Sequence, residues 1–144
     1  MKILLAIDGS ESCSKAVNKV AELGKNLDIK LTIITVIEEG NISVKITDTK
    51  EKIEERFTRE DDLKNEANNI VKSCENQLFK NMKSISNIIR KGNPAEMICR
   101  EANEGDYDLI VVSDLGRGAL KKFLLGSTTE KVVRHCSKSV LVVK

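Results

Sequence analysis

The sequence predicts an α/β fold: one doubly wound, mainly parallel sheet of five strands flanked by helices. Three observations predict it. Short, continuous apolar runs recur along the chain, as expected of strands covered on both faces. Between them lie stretches whose apolar residues repeat at helical spacing. The first such alternation, strand, helix, strand, has the length of a βαβ unit, which implies parallel pairing through a right-handed crossover.

Residues 2–7 (KILLAI) form the first run, and Asp8-Gly9-Ser10 stops it with turn and helix-cap chemistry. Ala16, Val17, Val20, Ala21, Leu23 and Leu27 then mark a first helix that ends near Gly24 to Leu27. Residues 29–37 (IKLTIITVI) are β-branched and apolar, a second buried strand. Glu38 to about Arg59 is polar, with only Ile42, Val44, Ile46, Ile53 and Phe57 as apolar punctuation, so a surface loop with a short helical piece is expected. From Asp61, the positions Leu63, Ala67, Ile70, Val71, Cys74 and Leu78 lie on one stripe of a long helix.

Ser84–Arg90 reads as the third strand. Asn93-Pro94-Ala95-Glu96 is a helix start, with Asn as N-cap, Pro in the first helical position and Glu three after the cap. Gly105 closes that helix. Residues 108–113 (DLIVVS) make the fourth strand, 114–126 a loop with three glycines, and Thr128 to His135 a last helix. Residues 139–143 (SVLVV) are the fifth strand. No internal repeat or linker interrupts the series, so residues 1–144 are expected to form a single domain.

The bulk numbers exclude several functions. Aromatics are 3 %, too few for a single-strand nucleic-acid platform on which bases stack. A net charge of +2 gives no electrostatic footprint for nucleic acid or a membrane. No apolar stretch approaches the roughly 20 residues that span a bilayer. Cys13, Cys74, Cys99 and Cys136 are scattered without CxxC spacing. They read as buried hydrophobes in a reducing compartment, with neither a zinc site nor a disulfide framework expected. A cytoplasmic location follows from that reading.

In open α/β sheets ligands bind beyond the carboxyl ends of the strands. Three segments meet that condition: Ala6–Ser10, Val36–Glu38, and Val112 onward. The last reads SDLGRGALKKFLLGSTTE. Gly116 and Gly118 let backbone amides approach an anion, and Gly126-Ser127-Thr128-Thr129 opens a helix whose N–H groups and dipole favour negative charge. Each element has a plainer reading. Ser127-Thr128-Thr129-Glu130 is a capping box by spacing, and Arg117, Lys121 and Lys122 serve equally as solvated surface. Neither a Walker A motif nor the dinucleotide fingerprint is present. His135, the only histidine, suits a helix C-terminus better than catalysis.

These residues resemble the universal stress protein family over essentially the whole chain. ILLAIDGSESCSKAV is similar to its opening strand, acidic residue and Ser-rich helix start. Gly92-Asn93-Pro94-Ala95 is similar to its G-x-P-A turn, and DLIVVSDLGRG…LLGSTTEKVVRHCSKSVLVV to its most characteristic segment. The family's ATP-binding members carry Gly-x2-Gly-x9-Gly-[Ser/Thr]; the matching positions here are Ser113, Gly116, Gly126 and Ser127.

The resemblance implies a Rossmann-like, adenine nucleotide alpha hydrolase-like fold and a nucleotide-binding role in stress response, with ATP or AMP as ligand and ATP able to bring Mg²⁺. It places Ala6, Ile7 and Asp8 beside adenine and ribose, Val36 and Val112 at the adenine pocket, and Ser113, Gly116, Gly126, Ser127, Thr128 and Thr129 around ribose and phosphates. Asp8 serves equally as a turn or helix-cap residue. Family members pair their last strand across a two-fold axis, so a homodimer through 140–143 is expected.

Two positions depart from the motif. A serine at 113 costs about 1 kcal/mol or more if positive φ is needed there, whereas in β conformation it keeps its N–H and adds a hydroxyl. Asp114 sets a carboxylate near phosphates, which a metal or Lys would have to offset. Both departures favour the alternative, a dimeric interaction protein of the same fold that binds no nucleotide. No residue constellation argues for dedicated turnover, so slow ATP hydrolysis is the most expected of it. A nucleotidyl-transferring enzyme lacks its extra motif here.

Overall fold

The structure of the chain, a computed structural model, describes residues 1–38, 50–116 and 125–144, the side chains of 51–58 excepted. In chain order its elements are β1 (Lys2–Ala6), α1 (Cys13–Gly24), β2 (Lys30–Ile37), α2 (Lys50–Leu78), a 3-10 turn (Phe79–Asn81), β3 (Ser84–Lys91), α3 (Pro94–Glu104), β4 (Leu109–Ser113), α4 (Ser127–His135) and β5 (Ser139–Val143). The five strands form one sheet in the order β3-β2-β1-β4-β5, with every neighbouring pair parallel. β1 is central: Ile3 stands opposite both Leu31 of β2 and Leu109 of β4.

Strand alternation divides the interior into two layers. Ile3, Leu5, Leu31, Ile33 and Val111 face one way and bury Cys13, Ala16, Val17 and Val20 of α1 with Val71, Cys74 and Leu78 of α2. Leu4, Ile34, Ile110 and Val112 face the other way and bury Ala95, Ile98 and Ala102 of α3 with Val132 of α4. Strands covered on both faces need no polar side, which is why they read as unbroken apolar runs. Asn93 caps α3 as its sequence predicts, its side chain accepting from the amide of Glu96 at 3.3 Å with Pro94 next in line.

Two expectations are corrected. α2 begins at Lys50, within the stretch read as loop, and runs for 29 residues. Its first turns are mostly Lys, Glu and Arg, good helix formers, and Ile53 and Phe57 alone are too few to read as an apolar stripe. The rest of that stretch, 39–49, lies outside the described residues. Second, Cys99 and Cys136 form a disulfide, with their Cα atoms 5.0 Å apart. The two residues are 37 apart in sequence, so spacing gives no sign of the pair; it arises because α3 and α4 lie side by side on one face of the sheet. Cys13 and Cys74 are free and buried, as expected.

Candidate functional site

Strand order reverses between β1 and β4, the inner neighbours from which the chain winds outward in opposite directions. Their carboxyl ends therefore flank a crevice. On the α3–α4 side, Ala6, Val36 and Val112 come from three adjacent strands and belong to the same apolar layer, a floor next to that opening. Ile7 differs: its side chain is 4 % exposed and packs in the α1–α2 layer, so what it offers the crevice is backbone.

The two ends of the loop after β4 are held together. Asp114 donates its amide to Val143 O at 2.8 Å, and its own carbonyl accepts from Gly126 N at 2.7 Å. Thr129, buried in the first turn of α4, donates its hydroxyl to Ser113 O at 2.8 Å. The Ser113 hydroxyl donates to Leu115 O at 2.9 Å. Ser113 is the last residue of β4, paired with Val143, and among the described residues Asp106 is the sole non-glycine with positive φ. The serine at this position therefore carries no left-handed strain.

Both glycines sit where a side chain would be crowded. A Cβ on Gly116 would stand 2.9 Å from Asp8 Oδ2, and one on Gly126 would stand 3.2 Å from Gly116 N. The amide of Gly116 thus lies against the start of α4. Gly118, Arg117, Lys121 and Lys122 lie outside the described residues.

The expected capping box at this start does not form. The N-cap is Gly126, with no side-chain capping bond, and Ser127 is already the first helical residue. Glu130 instead pairs with Arg134 at 3.1 Å. The first intrahelical bond runs from Glu130 N to Gly126 O, so the amides of Ser127, Thr128 and Thr129 precede it and lack helical acceptors. An uncapped helix start presents N–H donors and positive dipole to an anion. His135 closes the same helix, and Arg134 before it is a cation at the end that favours one.

Asp8 sits across from this loop. Its Oδ1 accepts from the amide of Ser10 at 2.9 Å and from the Cys13 thiol at 2.9 Å, so one oxygen is committed to the turn while Oδ2 faces Gly116. Burial first, and then the bond to Asp8, push the Cys13 thiol above its ordinary value. The sequence marks Cys13 as core; its second task, fixing Asp8, carries no signal beyond its place at the start of α1. Asp114 Oδ1 is buried without a hydrogen-bond partner among the described residues. No group of three or more potential metal ligands occurs among those residues.

The universal stress protein family model matches residues 1–144. The chain belongs to the universal stress protein family. A relative from Staphylococcus saprophyticus that bears the family's name is 31 % identical over 144 residues, covering 99 % of this chain and 82 % of that one. Among solved structures, the hypothetical protein MJ0577 is 31 % identical with a TM-score of 0.83, covering 99 % of this chain and 94 % of its own. A universal stress protein from Archaeoglobus fulgidus, solved in complex with dAMP, shares the fold at a TM-score of 0.69 and 18 % identity, covering 100 % and 98 % of the two chains. Within the described residues, no helix is long and apolar enough to cross a membrane.

Proposed function

We propose that the chain, acting as one domain, binds an adenine nucleotide, ATP or AMP, as a sensor or regulator in stress response. The observation that carries this reading is the uncapped start of α4, held against Gly116 by the Gly126–Asp114 bond. Phosphate oxygens would accept from the amides of Gly116, Ser127, Thr128 and Thr129 and from the Ser127 and Thr128 hydroxyls. Adenine would lie on Ala6, Val36 and Val112, with backbone of Ile7 and the Asp8 carboxylate toward ribose. Ser113 holds the frame through its carbonyl. Where ATP brings Mg²⁺, the cation would take the buried Asp114 Oδ1, which has no hydrogen-bond partner among the described residues, and would offset that carboxylate. That a family member of this fold takes dAMP supports the ligand class.

The test is to release small molecules from the purified chain, search them for adenine nucleotide by mass and absorbance, and titrate ATP with Mg²⁺ calorimetrically. Recovered nucleotide or a saturable heat is the expected result. Absence of both favours the second reading, a homodimeric interaction protein of the same fold.

One observation favours dimerisation under either reading. β5 is a sheet edge whose Val140, Leu141, Val142 and Val143 are only half-buried. The cytoplasm remains the proposed compartment on the strength of Cys13 and Cys74 as free buried thiols, although the disulfide removes half of that cysteine argument.

A further inference from the structure

We propose that Cys99–Cys136 is a thiol–disulfide exchange site, opened by a dithiol reductant through the cleft between α3 and α4 and setting how firmly α4 is held. This goes beyond nucleotide binding and does not depend on it. Three observations converge. The disulfide joins the buried-face side of α3 to the residue that caps the C-terminus of α4. Cys99 lines an open cleft of about 370 Å³ together with Asn93, Ala95, Glu96, Lys131 and His135. Both cysteines are partly exposed, whereas Cys13 and Cys74 are buried. The disulfide thus has an entry path that the free thiols lack.

The lining suits the chemistry. Lys131 brings positive charge to the cleft, which favours the thiolate over the thiol, with Glu96 opposing it. The reductant's thiolate attacks Cys99 Sγ; the S–S bond breaks and its electron pair leaves on Cys136 Sγ, which takes a proton. The reductant's second thiolate then attacks its own sulfur in the mixed disulfide, releasing Cys99 Sγ to take the second proton. Two electrons and two protons pass to the protein, and the dithiol becomes a disulfide.

Opening the bond matters because, among the described residues, the other anchors of α4 lie at its start and middle: the Gly126–Asp114 bond, the Thr129–Ser113 bond and Val132. It is nine residues long, and Thr129 and Val132 are its buried side chains. The tie at its far end is covalent only while oxidised.

The test uses the full chain with dithiothreitol as the dithiol. After reduction, iodoacetamide should label Cys99 and Cys136 in the folded protein while Cys13 and Cys74 stay unlabelled, and reoxidation should abolish the labelling. Amide hydrogen exchange in α4 should quicken about tenfold or more on reduction, with β1 unchanged. A Cys99→Ser/Cys136→Ser double variant should show the faster α4 exchange in both redox conditions; intact β1 protection certifies its fold. Cys99 and Cys136 resisting dithiothreitol in the folded protein, or labelling with α4 exchange unmoved, would overturn the proposal.

Discussion

The hydroxyl of Thr129 and the carbonyl of Ser113 meet at 2.8 Å, binding the first turn of α4 to the last residue of β4. The bond is buried, so it fixes where the helix start points. Thr129→Val keeps the shape, removes the donor and strands a buried carbonyl, which costs about 1–3 kcal/mol. Urea unfolding should show that loss, Thr129→Ser should recover most of it, and nucleotide affinity should fall with Thr129→Val alone.

Gly126→Val tests the close approach of the loop ends. Its Cβ would already crowd Gly116 N at 3.2 Å and Asp114 O at 3.4 Å, and the branched methyls would push the two apart. Nucleotide affinity should drop about tenfold or more, equivalent to ~1.4 kcal/mol, with the circular dichroism spectrum retained. Calorimetry with unaltered affinity would make the loop purely structural.

The buried thiols give a pH dependence of definite sign. Burial pushes Cys74 up to about 11 from an ordinary 9.0, and Cys13 is raised by burial and by Asp8. A raised folded value means the native state holds its proton longer than the unfolded chain does. The associated stability is complete below pH 9 and is lost as pH rises toward 11. Denaturant midpoints should decline across that window, less so in Cys74→Ala than in the parent. Native alkylation of Cys74 should be slow until the same window is reached.

The sheet's two edges predict the partner surface. β3 exposes Ser84, Ser86, Asn87, Arg90 and Lys91, a polar edge that resists pairing, while β5 offers Val140 to Val143. Light scattering should give twice the 16.0 kDa chain mass. Val140→Lys with Val142→Lys should shift the particle to monomer through like-charge repulsion across the two-fold axis, leaving the spectrum intact.

The fold was legible because both layers are apolar: buried strands such as KLTIITVI cannot be mistaken for a wet face. The amino end of α2 was not, because charged residues build a helix there on propensity rather than on a stripe. The cystine escaped for a topological reason, since the neighbourhood of α3 and α4 exists only after the chain has crossed the sheet. At α4 the glycine, threonine and serine positions were legible, but the cap was misplaced by one residue. Ser127 looks like an N-cap in sequence; the bond from Gly126 N to Asp114 O fixes the glycine in that place and leaves the serine inside the helix.

The central place of β1 also carries a timetable. On one side it meets β2 after a short crossover, Leu5 opposite Ile33; on the other, Leu5 waits for Val111. Closing the second, far longer loop costs more chain entropy and comes later. Chain entropy therefore favours a β1–β2–β3 half that presents an open inner edge, onto which β4 and β5 dock. The seam between the halves is where the crevice lies, so its completion reports that the whole chain has folded.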